Sequence, residues 1–367
     1  MKFIIGGHTI ELTRLGSSID DCFILLHSAH FSNQALDLSK FEQAAMEFFD
    51  NHVDDYSMHD DYFNNFTVVW NSYLSARNFD QAERVWGMAM EPAFNWERQN
   101  KGKRIHKGTP YYFWGMTSLL AGEIDKGYAL MHQAVEEDVE TTGDSIPDTP
   151  AFALASLNYA KADQAFRQWV FLQMQYINHR QNLYSSKFGR KFILDDFKNK
   201  FLLSPPNIDI GFLFAFTVAR LMKLSRVPSH ALMSRFAGQL ELNILFDLTL
   251  VIDGTLKNKN RTEWKFVKHA EFLLDAVGHH LALDQLGEIN GAFKSDFDGT
   301  MNEIIHGSFR LKDGTSLNGY QTDVSIAYGL RNRWAHDVTS NISILQKFGE
   351  IEQSLFNVLY MSTDHLH

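Results

Sequence analysis

An arginine, an asparagine and a histidine near the end of the chain have the types and spacing for acid–base chemistry on a phosphodiester. Arg331 and Asn332 are adjacent, and His336 follows four residues after Asn332. A histidine accepts or donates a proton near neutral pH, because its ordinary pKa is about 6.5. The planar guanidinium of an arginine presents paired donors that match phosphate oxygens. Since RNA carries its own nucleophile, the 2′-hydroxyl, these groups could cleave it without a metal ion.

The spacing of these residues limits how one helix can present them. At about 100° per residue, Asn332 and His336 lie about 40° apart on a helix, whereas Arg331 and His336 lie about 140° apart. One straight helix therefore does not readily aim Arg331 and His336 at the same phosphate. A long arginine side chain, a local helix distortion, or two copies of the chain facing each other would each solve this. Asn332 would orient His336 or contact the phosphate.

Neighbouring residues are weaker candidates for the same site. Arg333, Tyr328 and Asp337 could contact RNA or a second copy of the chain. Asp253, on an earlier predicted helix, could support a catalytic histidine, although a role as a helix-end acid or as a partner of Lys257 is equally consistent with its position. The sequence contains no P-loop, dinucleotide-binding or Gly-x-Ser-x-Gly motif, so no cofactor is expected.

Other groups of metal-ligating residue types do not predict a metal site. Residues 51–61 contain two histidines and several aspartates, but ligands confined to eleven residues are more typical of a polar loop between helices. His279 and His280 are adjacent, and on a regular helix they would point about 100° apart. Cys22 is the only cysteine, which excludes an internal disulfide and indicates a reducing compartment, so we expect a cytoplasmic protein.

Composition and periodicity predict an all-α fold. Of the 367 residues, 45% are hydrophobic and 21% are charged, the profile of a folded globular chain. The net charge of −10 argues against a uniformly basic nucleic-acid-binding surface but leaves room for a small basic site. The apolar run at residues 211–219 is too short to span a bilayer, so no membrane is expected. Seven prolines and helical apolar spacing favour long helices, with one short strand predicted near residues 3–5.

The first half contains a weak internal repeat. Residues 76–92 and 121–138 each contain a small residue, a large residue four positions later and an alanine three positions after that. These positions are Ala82, Trp86 and Ala89 in one copy and Gly127, Met131 and Ala134 in the other. The pattern resembles the second helix of a tetratricopeptide (TPR) hairpin, with an irregular spacing, and a generic bundle of helical hairpins is the alternative. Either reading predicts a helical-repeat domain over residues 1–205 whose concave face could bind a protein or peptide.

The second half is predicted to be a helical bundle over residues 206–367. Helices are expected at 229–257, 263–283, 286–305, 322–338 and 342–361, with Gly291 as a candidate break in the third. Before them, residues 179–201 contain six basic and two acidic residues. That segment is either a solvated linker between domains or a basic lip that contacts RNA.

The segment AYGLRNRWAHD, residues 327–337, resembles the HEPN superfamily, whose helical bundles contain an Arg-x4–6-His motif, often as Arg-Asn-x3-His. Residues 245–257 are similar to the first helix of such domains, and the resemblance covers about residues 229–361. It implies that Arg331, Asn332 and His336 are catalytic. It further implies an endoribonuclease that leaves 2′,3′-cyclic phosphate and 5′-hydroxyl ends, and a homodimer with a composite active site.

The same resemblance implies a biological setting. HEPN ribonucleases occur in bacterial toxin, abortive-infection and CRISPR systems, so an antiviral defence or toxin–antitoxin role is expected. The alternative is a non-catalytic HEPN and TPR-like scaffold that dimerises and binds a protein or a nucleotide. His336 separates the two hypotheses, because only a nuclease should lose its activity when His336 is replaced and the fold survives.

Overall fold

The computed structural model describes residues 1–32, 36–142, 148–226, 235–261, 263, 265–334 and 346–366. Helices dominate the described chain, which confirms the all-α prediction. The chain divides into two compact units, residues 1–152 and 153–367. The domain boundary predicted from the sequence lies later, at residue 205. The residues between the two boundaries are mainly one long helix and the short elements after it.

The first unit begins with a β-hairpin and continues as helices. The strands are β1 (Lys2–Ile5) and β2 (His8–Glu11), which pair antiparallel in the register Lys2 to Glu11. The helices are α1 (Ser17–Ser32), α2 (Leu38–Asn51), α3 (Tyr56–Asn64), α4 (Thr67–Ser75), α5 (Phe79–Gln99), α6 (Gly108–Ala121), α7 (Ile124–Thr142) and α8 (Pro150–Ala155), in which the boundary between the units falls. The strand predicted near residues 3–5 is confirmed.

Close helix contacts explain the small residues of the internal repeat. A Cβ added to Gly115 of α6 would lie 3.1 Å from the carbonyl oxygen of Gly127, and one added to Gly127 would lie 3.1 Å from the backbone nitrogen of Leu119. The large residues of the repeat, Trp86 and Met131, are fully buried. The small residue Gly127 therefore lets the backbones of α6 and α7 approach, while the large residues of the repeat fill the core.

The second unit contains the remaining helices. They are α9 (Gln164–Phe188), α10 (Leu194–Phe197), α11 (Ile208–Leu224), α12 (Arg235–Lys259), α13 (Phe266–Ala276), α14 (Leu283–Ser295), α15 (Phe297–Ile305), α16 (Gly319–Trp334) and α17 (Phe348–His365). A π-helical turn at Lys198–Leu202 and a 3-10 turn at Pro205–Asn207 precede α11. Apolar residues of α12 and α17 are buried, including Leu245, Val251, Ile351 and Leu355.

Several helix boundaries in this unit differ from the prediction, and two of the differences have a clear local cause. The helix expected at 263–283 ends at Ala276, where Gly278 adopts a left-handed conformation with φ of 76°. The helix expected at 286–305 is interrupted at Asp296, not at Gly291. The Asp296 carboxylate accepts a hydrogen bond from the backbone N–H of Gly299 and so caps α15, whereas Gly291 lies inside α14.

The basic segment at 179–201 is largely helical and paired with acids. Its first part belongs to α9, and three of its cations form ion pairs with α16 and α17. The pairs are Arg180–Glu352 at 2.5 Å, Lys187–Asp323 at 2.8 Å and Arg190–Asp364 at 2.9 Å. Asp323 and Glu352 are buried. These pairs tie α9 to the second unit, which accounts for the position of the boundary between the units.

Among the described residues, no single helix is long and apolar enough to cross a bilayer. The segments Leu194–Leu202 and Pro205–Leu224 meet that criterion only as a pair, which is bent by 82° at its break.

Candidate functional site

The helix that carries the Arg-Asn motif is firmly capped at its start. The side-chain oxygen of Asn318 accepts hydrogen bonds from the backbone N–H groups of Tyr320 and Gln321. The Gln321 side chain in turn accepts a hydrogen bond from the backbone N–H of Asn318. This reciprocal arrangement is a capping box, and it sets the start of α16. Residues 331–333 consequently occupy its last turn, where the helix dipole favours basic side chains.

A glycine two residues before Arg331 brings α16 against α14. If Gly329 carried a Cβ, three ring carbons of Phe293 would lie no more than 2.7 Å from it. Phe293 is buried, and its ring centroid lies 5.2 Å from that of Phe297. The absence of a side chain at Gly329 therefore sets the distance between the motif and the aromatic residues of α14 and α15.

Arg331 reaches a buried carboxylate on α12. Its Nε and Nη2 lie 3.4 and 3.5 Å from Oδ2 of Asp253, long contacts for a charge-assisted pair. The same oxygen accepts a closer bond, 2.9 Å, from Nζ of Lys257. The Arg331 side chain is 29% exposed, while that of Asp253 is 5% exposed. Asp253 thus holds Lys257 closely and Arg331 loosely, and leaves the guanidinium accessible.

A second histidine lies beside this pair. His269 of α13 is fully buried, and its ring nitrogens form no regular hydrogen bond among the described residues. Burial lowers the pKa of His269, and the nearby Lys257 acts in the same direction, while Asp253 and Glu263 oppose them. His269 therefore adds an uncharged imidazole to the Asp253 side of the motif.

Asn332 and Arg333 face a different neighbour. The Asn332 amide donates a hydrogen bond of 2.9 Å to the side-chain oxygen of Asn290 on α14. The Arg333 guanidinium lies over the ring of Phe297, 5.3 Å from its centroid. Successive residues of a helix point about 100° apart, so Arg331 and Asn332 serve two sides of α16.

The structure places the remaining predicted residues as follows. Tyr328 is buried, stacks on Phe266 at a ring distance of 6.2 Å, and has a pKa raised by burial, with a hydrogen bond to Asn332 opposing the shift. It supports the motif from within the core. Asp253 meets both Lys257 and Arg331, so it acts as a partner of Lys257 and as a neighbour of the motif. His336 and Asp337 lie outside the described residues.

Sequence reasoning missed His269, Asn290 and Phe297 as neighbours of the motif. His269 and Phe297 occupy buried positions, where the sequence pattern indicates only a core residue. Asn290 is one polar residue among several on α14. These residues become neighbours of the motif only because α13, α14 and α15 pack against α16. No local sequence pattern indicates that packing.

A cluster of charges in the first unit was also missed. Lys107 is buried, and its ammonium donates to the carboxylate of Glu97 at 2.5 Å and to the carbonyl oxygen of Ile105 at 2.6 Å. Its backbone N–H donates to the buried Glu137. Burial, together with Glu137 and Glu97, raises the pKa of Tyr111 to about 12. These bonds connect α5, α6 and α7, which indicates a structural role.

The histidine- and aspartate-rich stretch at 51–61 belongs to the same region. Nδ1 of the buried His59 accepts a hydrogen bond from the backbone N–H of His106, and Asp60 accepts one from the Thr109 hydroxyl. Within the described part of the chain, no three His, Cys, Asp or Glu side chains converge as a metal site would require.

Comparisons with known proteins add no relative: no family model, no curated protein and no solved structure matches the chain. The HEPN and TPR-like resemblances therefore stay predictions from the sequence.

Proposed function

We propose that the protein is a metal-independent endoribonuclease of the HEPN type that cleaves single-stranded RNA. The observation that supports this best is the position of Arg331. Its guanidinium lies at the end of α16, partly exposed, beside a buried carboxylate that holds it only at 3.4 Å. A phosphate can compete for such a guanidinium, because bidentate contacts to phosphate oxygens are shorter and stronger.

The reaction that fits these residues begins with the RNA 2′-hydroxyl. His336 takes its proton as general base or protonates the departing 5′-oxygen as general acid, water carries out the other proton transfer, and Arg331 stabilises the charge on the phosphorane. The oxygen attacks the adjacent phosphorus, the bond to the 5′-oxygen breaks, and the products carry 2′,3′-cyclic phosphate and 5′-hydroxyl ends. Asn332, held by Asn290, positions His336 or the phosphate.

The direct test compares purified wild type with His336→Ala on end-labelled single-stranded RNA in EDTA, from about pH 6 to 8. Wild type should leave cyclic phosphate ends and His336→Ala should not. The matched control is His280→Ala, which removes only an exposed histidine paired with the exposed Asp275. A substrate with one 2′-deoxyribose at the cleavage position should resist wild type, because the nucleophile is missing.

Two results would overturn the nuclease proposal. Equal cleavage by wild type and His336→Ala would remove His336 from the reaction. Absence of cleavage by wild type, together with equal bacterial growth under induced expression of either allele, would favour the scaffold that binds a protein or nucleotide.

A composite site in a homodimer is a second part of the proposal. It is supported by the angular separation of Arg331 and His336 on a helix and by the HEPN resemblance. Mixing Arg331→Ala and His336→Ala subunits should restore about a quarter of the wild-type activity, because half of the dimers would be mixed and each would hold one intact site of two. No recovery would show that each site takes both residues from one subunit.

The biological setting is proposed on the resemblance and the composition. We place the reaction in the cytoplasm, in bacterial defence or toxin biology, with the helical first unit binding a protein or peptide that restrains or triggers cleavage. Pull-down from cells with residues 1–152 deleted, compared with the full chain, would show whether that partner depends on the first unit.

A further inference from the structure

A recess opens beside Asn332, on the side of α16 away from Asp253. It lies between α14, α15 and the end of α16 and has a volume of about 370 Å³. This is within the range of small-molecule sites and large enough for one nucleotide unit. Asn332 and Arg333 of the motif line it directly, so an occupant would touch the proposed cleavage site.

The lining of the recess combines aromatic rings with amide groups. Phe293 and Phe297 line it but are largely buried, and the Arg333 guanidinium lies over the Phe297 ring. Asn290 uses its side-chain oxygen to accept the hydrogen bond from Asn332, which leaves its own NH2 group without a partner among the described residues. An amide donor beside aromatic and guanidinium surfaces matches an unpaired nucleobase, whose faces stack and whose edge accepts hydrogen bonds.

The charged residues in the described lining of the recess are basic. Lys294 and Arg333 are basic, and no acidic residue is among the described residues that line it. Lys294 is exposed and forms no ion pair in the part of the chain that the structure describes. In a chain of net charge −10, a local basic lining is suited to a phosphate group. A purely apolar peptide side chain would not need such a lining.

From these contacts we propose that the recess binds one unpaired nucleobase of the RNA substrate, with its phosphate on Lys294. The inference rests on the proposed ribonuclease function and adds a source of base preference to it. Asn290 would be the specificity-determining residue, since its NH2 group selects bases that offer an acceptor at that position.

The key variant is Asn290→Asp, which keeps an acceptor for Asn332 and replaces the NH2 donor by a second acceptor. The matched control is Asn302→Asp on α15, which adds the same charge outside the residues that line the recess. Both are made in the full-length His336→Ala protein so that the RNA stays intact. The probe is a fluorescent single-stranded hexanucleotide, with a series of oligonucleotides that each contain one abasic position.

We expect Asn290→Asp to weaken binding of the intact RNA about tenfold, and one abasic position to weaken binding to the parent protein by a similar factor. When Asn290→Asp is combined with that abasic position, the two losses of affinity should not multiply, because both changes remove the same contact. Asn302→Asp should show no such coupling. Lys294→Ala should lower the slope of log Kd against log salt by about 0.7, and Lys268→Ala on α13 should leave it unchanged.

Several results would overturn the inference. Multiplicative effects at every abasic position would show that no base occupies the recess. Binding of a free mononucleotide that depends on Asn290, without coupling on the RNA, would assign the recess to a free ligand. The test separates failure of the inference from failure of the nuclease proposal. If cleavage depends on His336 but the effects of Asn290→Asp and an abasic position multiply everywhere, only the base-binding inference fails. If the two effects do not multiply at one position but wild type cleaves no RNA, only the nuclease proposal fails.

Discussion

The contact between Gly329 and Phe293 leads to a stability prediction for Gly329→Ala. A new Cβ would lie within 2.7 Å of three carbons of a buried aromatic ring, so the ring or the helix must move. Overpacking of this kind costs about 1–3 kcal/mol. Alanine in place of glycine inside a helix contributes about 1 kcal/mol in the opposite direction. The expected result is a net destabilisation of about 0–2 kcal/mol.

The matched control is Gly291→Ala, on the neighbouring helix α14. Gly291 is also inside a helix, but a Cβ there would meet no atom within 4 Å. It should therefore stabilise the protein by up to about 1 kcal/mol from helix propensity alone. Urea unfolding followed by circular dichroism measures both variants, and equal slopes justify a comparison of midpoints. If Gly329→Ala unfolds at the same urea concentration as Gly291→Ala, or at a higher one, the close packing of α16 on α14 is refuted.

Two further predictions concern buried charge. Glu352→Ala should lower the free energy of unfolding in urea by about 3–5 kcal/mol, because it leaves the paired Arg180 uncompensated. Its control is Glu350→Ala, exposed on the same helix, which should change that free energy by less than about 0.5 kcal/mol. Equal effects of the two variants would refute the pairing. The folded state lowers the pKa of His269, so it binds fewer protons than the unfolded state and its stability falls as the pH drops below about 6.5. In wild type the urea unfolding midpoint should therefore fall between about pH 7.5 and 5.5, and His269→Leu should make this fall smaller, whereas His280→Ala should not. If His269→Leu shows the same pH dependence as wild type, the burial of a neutral imidazole is contradicted.

The sequence predicted the helices well, because the apolar spacing that indicates a helix lies within one short segment of the chain. The apolar spacing of α12 and α17 corresponds to residues that are buried in the structure, such as Leu245 and Leu355. The errors occurred where two local signals compete. Gly291 is a candidate break by residue type, but a glycine alone does not end a helix. Asp296, whose side chain caps the next helix, marks the actual interruption.

The site was less predictable, since its geometry depends on contacts between distant segments. The segment 179–201 has a local excess of positive charge, yet Arg180 and Lys187 pair with acids more than a hundred residues later in the chain. Tyr328 precedes the motif by one helical turn and suggested an accessible contact, but the packing of α13 buries it. Adjacent residues of a helix point about 100° apart, but this does not indicate which neighbour Arg331 or Asn332 meets.

The shared use of Asp253 has a consequence for how Arg331 meets a ligand. Since Lys257 holds the same oxygen at 2.9 Å, Asp253 keeps a counter-ion when Arg331 turns away from its 3.4 Å contact. The carboxylate is then not left as an isolated buried charge, which would cost several kcal/mol. Arg331 can thus exchange one anion for another without disturbing the charge balance of α12. In the proposed reaction, Lys257 is the partner that Asp253 keeps and Arg331 is the one released to the phosphate.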